Sequence, residues 1–98
     1  MPYAMVTVHS HPRETFDQQK TFLHERIIPM IKSQPGFVTG YWGYDGAERV
    51  SNSYVVFATE ADARRVAAFV KDESGKPNPF DVRPLSVTVV EVVGEARA

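Results

Sequence analysis

Residues 35–59, PGFVTGYWGYDGAERVSNSYVVFAT, decide the fold. They read as two strands folded back on each other. The first, Phe37 to Tyr44, carries Phe37, Tyr41, Trp42 and Tyr44; the second, Asn52 to Ala58, carries Tyr54, Val55, Val56 and Phe57. Aromatic and β-branched side chains gather on pleated surfaces because they pack well there. Between the strands, Asp45-Gly46 offers the tolerance of positive φ that a tight reversal needs. The hairpin is therefore the expected centre of a sheet and the expected wall of any cavity.

Upstream, Tyr3 to His9 suits a strand that stops at Ser10-His11-Pro12, since Pro12 has no N–H and holds His11 extended. Thr15-Phe16-Asp17-Gln18 fits a capping box, and Phe16, Leu23, Ile27, Met30 and Ile31 then form one apolar stripe at helical spacing. Pro29 should free the Glu25 carbonyl and bend the last turn. Pro35-Gly36 ends the helix. Downstream, Thr59-Glu60-Ala61-Asp62 resembles a second capped start. Ala63, Val66, Ala67 and Val70 share one face of that helix, and Gly75 stops it. Lys76 to Pro84 reads as an extended connection. Leu85 to Val93 is the last strand; its apolar positions change phase after Val89, which predicts a bulge or burial on both faces.

The order is β-α-β-β-α-β, an α+β, ferredoxin-like plan with one four-stranded antiparallel sheet and two helices on one face. Residues 1–98 are expected to form a single domain. That plan leaves the other sheet face open, and the strands carry large apolar residues at both parities. Val38, Trp42, Val55 and Phe57 form one set; Phe37, Tyr41, Tyr54 and Val56 form the other. So much apolar surface calls for a cover, and a second copy packed face to face about a two-fold axis is the simplest one. A homodimer is expected.

Composition narrows the function classes. Eleven basic and twelve acidic residues leave a net charge of −1, and the chain has no cysteine. The charge balance speaks against a nucleic-acid partner, which needs a concentrated basic face. Disulfides, thiolate metal sites and a cysteine nucleophile are excluded. The N-terminus, MPYAMVTVHSHP, has neither a basic segment nor a long apolar run, so no membrane association is expected and a cytoplasmic setting is the default.

Several stretches together resemble a known group. They are Ile28-Pro29-Met30-Ile31 at the end of the first helix, Gln34-Pro35-Gly36-Phe37, the aromatic strand, and Val56 to Ala63, VFATEADA. With this element order they are similar to the dimeric α/β-barrel superfamily and, within it, to the antibiotic biosynthesis monooxygenase-like domains. The resemblance implies ferredoxin-like monomers whose sheets pair into a barrel, each with a cavity between sheet and helices. The activities it implies are cofactor-independent oxygenation of quinols or aromatic polyketides, haem degradation, or none. The haem-degrading members place a tryptophan near the end of the third strand and a histidine on the second helix; residues 54–69 contain neither. The quinol and anthrone oxygenases use an asparagine, a tryptophan and a tyrosine, for which Asn52, Trp42 and Tyr54 are the matching types. No cofactor is implied.

From the residues themselves, His9 at the end of the first strand is a candidate base, because an imidazole titrates near neutrality. The plainer account is a rim histidine bonded to water or backbone. His11 precedes a proline in a loop, and His24 falls on the solvated side of the first helix. The three histidines show no metal-binding spacing. Tyr41, Trp42 and Tyr54 are of types that serve more often as core or dimer interface than as ligand wall. Asn52 can simply flank the turn, and Arg64-Arg65 a solvated helix face. The same plan also serves RNA-recognition domains. Val50, Ser51 and Asn52 stand where their third strand needs a basic residue, glycine and an aromatic, and Thr7 replaces a stacking aromatic. Two readings remain: a non-catalytic binder of a small hydrophobic or aromatic molecule, and a cofactor-independent monooxygenase. For the second, His9 or Tyr54 would assist proton removal, with Asn52, Trp42 and Tyr41 at the site.

Overall fold

A computed structural model describes residues 1–98. Four antiparallel strands run in the order β2-β3-β1-β4, with β1 at Tyr3–Ser10, β2 at Phe37–Asp45, β3 at Val50–Phe57 and β4 at Arg83–Glu91. The expected α+β, ferredoxin-like plan is the one observed. β1 and β3 are central. The hairpin formed by β2 and β3 thus reaches from the centre to an edge rather than forming the middle of the sheet.

The first helix is a rod in three segments: α1 at Phe16–Phe22, a π-helical turn at Leu23–Ile27, and α2 at Ile28–Lys32. The wide turn is where Pro29 takes effect. Pro29 has no N–H to give and sits in the first turn of α2, while just ahead of it the Ile28 N–H reaches back five residues to the Leu23 carbonyl. The expected capping box at Thr15 does not form. A 3-10 turn at Arg13–Thr15 leads into α1 instead, and the Thr15 hydroxyl donates to the Phe80 carbonyl at 2.7 Å. The second capped start is real. Thr59 Oγ1 accepts from the Asp62 N–H at 3.2 Å and opens α3, Glu60–Ser74. Gly75 ends α3 with φ −76, so the stop does not use a left-handed residue.

Register corrects the parity read from the sequence. Val38 is an extra residue in β2, between the pairs Phe37↔Phe57 and Thr39↔Val56. A bulge moves every later side chain to the other face. Phe37 and Trp42, of opposite parity in sequence, therefore both face the helices beside Val55 and Phe57, while Tyr41, Tyr54 and Val56 face away. In β4 the bulge lies at Leu85, between the pairs Val8↔Ser86 and His9↔Pro84, and not after Val89. The hairpin loop is longer than expected, residues 46–49. Asp45 Oδ1 accepts from the Ala47 and Glu48 N–H groups, and the positive φ falls on Arg49 rather than Gly46. Gly36, at φ +82, does need to be glycine, because a Cβ there would overlap the Asp62 carboxylate.

The core joins Met5, Val55, Phe57 and Val87 of the sheet to Ala63, Val66 and Ala67 of α3 and to Ile31 of α2. Small residues on α3 let it lie directly on β1, β3 and β4. The rod presents Phe16, Leu23, Ile27 and Met30 instead, and its backbone stands off from the sheet along its length. No helix is long and apolar enough to cross a membrane.

Candidate functional site

The helix-facing side of the sheet changes character along its strands. Gly40, Val55, Met5 and Val89 form one row across the four strands. The next row is Trp42, Ser53, Thr7 and Val87; the one beyond is Tyr44, Ser51, His9 and Pro84. The floor is thus apolar at one end and rich in hydroxyl and imidazole groups at the other. Above its polar half the raised rod leaves a cavity of about 790 Å³, within the range of ordinary ligand sites. Phe16, Leu23, Ile27 and Met30 of the rod, Val70 of α3 and Trp42 form its apolar walls. A Cβ on Gly40 would come within 3.0 Å of the Trp42 ring, so the missing side chain lets the indole lie back on the sheet.

At the polar end, His9 Nε2 is 3.0 Å from Ser74 Oγ at the last turn of α3. Burial, and then the neighbouring His11, hold the His9 pKa below its ordinary value. His11 is 5% exposed, and neither ring nitrogen has a hydrogen-bond partner. Its backbone is fixed on both sides: the N–H donates to the Arg49 carbonyl at 2.8 Å, and its carbonyl accepts from the Tyr44 hydroxyl at 3.0 Å. The ring tilts against Phe16 and Tyr44, which stack on each other at 4.2 Å. Burial lowers the His11 pKa as well. Both imidazoles are therefore neutral at pH 7 and able to take a proton or share a hydrogen bond. Thr7 and Ser53 bond to each other through their hydroxyls, which satisfies the buried centre of the floor.

Residues 76–82 close one side of the cavity. Asn78 Oδ1 accepts from the Phe80 and Val82 N–H groups, its Nδ2 donates to the Val82 carbonyl, and the Phe80 ring lies 5.5 Å from that of Phe22. No cluster of three or more His, Asp or Glu side chains is placed to hold a metal ion.

Of the residues singled out in the sequence, His9 and Trp42 meet in this cavity. Asn52 borders it, but register turns its side chain to the opposite face, where Oδ1 lies 3.1 Å from where a Gly43 Cβ would sit. Tyr41 and Tyr54 are cross-strand partners on that open face, 70% and 40% exposed, away from the cavity. His9, Asn52 and Tyr54 do not converge. His11, Tyr44 and Phe16 complete the polar end, and the sequence reading gave none of them that place. The spacing His9-Ser10-His11 was the available signal, since side chains two apart on an extended chain share a side. His24, expected on the solvated side, is exposed but stands at the cavity margin.

No known family's sequence profile matches the chain, and no curated protein matches it. Solved structures do. A candidate monooxygenase from Shewanella loihica PV-4 superposes with a TM-score of 0.68 at 14% identity, over 96% of each chain. The monooxygenase ActVA-Orf6 of Streptomyces coelicolor, solved with the ligand nanaomycin D, gives a TM-score of 0.65 at 16% identity, over 99% of this chain and 91% of its own. A candidate antibiotic biosynthesis monooxygenase from Bacteroides thetaiotaomicron VPI-5482 gives 0.60 at 15%, over 95% and 89%. The chain has the fold of these monooxygenase structures, as the sequence resemblance implies.

Proposed function

We propose that the cavity between the sheet and the rod binds a small hydrophobic or aromatic molecule, with its ring system against Trp42 and the rod and its polar edge towards His9. The observation that carries this reading is the cavity itself: apolar walls over most of its surface and neutral polar groups gathered at one end. The nanaomycin D bound to the Streptomyces coelicolor relative supports a ligand of this kind. Trp42 is the only tryptophan and lines the cavity, so its fluorescence reports occupancy. Titration with an anthrone is expected to give saturable quenching, and a strictly linear, collisional response would end the proposal.

A second reading, cofactor-independent oxygenation, is favoured by one further observation. His9 is held neutral beside the cavity, with one ring nitrogen on Ser74 and one without a protein partner. It could take the acidic C–H proton of an anthrone. The carbanion would give electrons to dioxygen, the hydroperoxide formed on that carbon would lose water, and a carbonyl would remain: CH2 plus O2 gives C=O plus H2O. Oxygen uptake with an anthrone, lost in His9→Ala and kept in Tyr54→Phe, is the expected result. Equal uptake by His9→Ala would remove His9 from the reaction.

The open sheet face belongs to the same proposal. Tyr41 and Tyr54, together with Val38 and Val90, form an exposed apolar surface that a second copy of the chain would cover. The cytoplasm is the setting we propose from composition.

A further inference from the structure

We infer that His11 reads a hydroxyl of the bound molecule, and so decides which aromatic compounds the cavity accepts. The inference rests on the cavity being a ligand site, as proposed above. Three observations carry it. His11 is more than nine-tenths buried, both of its ring nitrogens are shut off from solvent without partners, and it is one of the residues that line the cavity. A buried polar group left unpaired destabilises a fold. Here the backbone bonds to Arg49 and Tyr44 would hold just as well around a phenylalanine, and Phe16 and Tyr44 already offer an aromatic nest. An apolar ring would suit the folded chain better. The histidine therefore supplies something that the empty fold does not use.

The ring can supply it without repacking. Rotating an imidazole by 180° about χ2 keeps its outline and exchanges carbon for nitrogen at each edge. Whichever edge borders the cavity can thus present a nitrogen. A neutral imidazole accepts from a hydroxyl on one nitrogen and donates from the other. His9 stands two residues back, close enough for His11 to act on its titration, and both residues line the cavity, so the two can address one edge of a ligand from neighbouring positions. The compounds selected are uncharged aromatics bearing a hydroxyl, in preference to the bare hydrocarbon.

2-Naphthol and naphthalene differ by that one group, and the single indole N–H of Trp42 gives one NMR resonance by which to follow either. The native protein is expected to bind 2-naphthol about tenfold more tightly, in keeping with one hydrogen bond to a buried site. His11→Phe should bind the two within about twofold of each other and should melt at a higher temperature than the native protein. His11→Gln, which keeps a donor and an acceptor, should restore part of the preference and covers the case of a phenylalanine variant that fails to fold. A His11→Phe protein that keeps the native preference overturns the role of His11 and leaves the cavity standing. A native protein that binds neither compound overturns the cavity reading, and this inference with it.

Discussion

At the scale of single residues, the two histidines give the protein a pH signature. Both pKa values are lowered in the folded state, chiefly by burial. The unfolded chain therefore takes up protons first as the pH falls through about 6.5. The contribution is fully present above that value and is lost between it and the lower folded-state values. Asp62 behaves likewise one range lower, because the Thr59 hydroxyl and Arg65 hold its carboxylate ionised. Urea unfolding between pH 7.5 and 5 isolates the histidines. The midpoint should fall with little change in slope, and the fall should be smaller in His11→Phe. An unchanged midpoint would mean that the rings are solvated. His9 was legible as a strand-end residue because a strand end is easy to place, but its bond to the Ser74 side chain was not. His11 was not, since its burial depends on Phe16 and Tyr44 arriving from two distant elements. Phe37 was misread for one local reason: a single extra residue, Val38, brings it to the same face as Trp42 although their parities in the sequence are opposite.

At the scale of elements, every strand and helix was visible in periodicity and punctuation, down to the Thr59 cap. Hydrogen-bonded detail was less so. Thr15 looked like a cap, but its hydroxyl serves the 76–82 segment, a partner that local sequence cannot announce. Pro29 foretold a disturbance in the rod, though not that a π turn would absorb it. The rod's hold on the core is concentrated in Ile31, its one fully buried residue at 2% exposed. Ile31→Ala should cost about 2–5 kcal/mol of stability, at the upper end because the raised rod cannot settle into the space. Denaturant midpoints check this. A loss under 1 kcal/mol would show that the rod is held elsewhere.

At the scale of the whole molecule, the open sheet face predicts association. Sedimentation at micromolar concentration should give the mass of two chains, and Tyr54→Asp should return the monomer, since an uncompensated carboxylate would be buried between the sheets. A native monomer would remove the face-to-face arrangement from the proposal.

The stand-off of the rod has a volumetric meaning. A helix propped above a sheet by its own side chains leaves gaps between the layers, and those that exclude water are abolished by unfolding, so the native state occupies more volume than a filled fold would. Compression should then act as a denaturant. Under hydrostatic pressure the volume change of unfolding should lie towards the larger end of about −20 to −100 mL/mol, and a bound aromatic should reduce it. High-pressure fluorescence of Trp42 would read both values from one chromophore, making the weight of the cavity a number in millilitres.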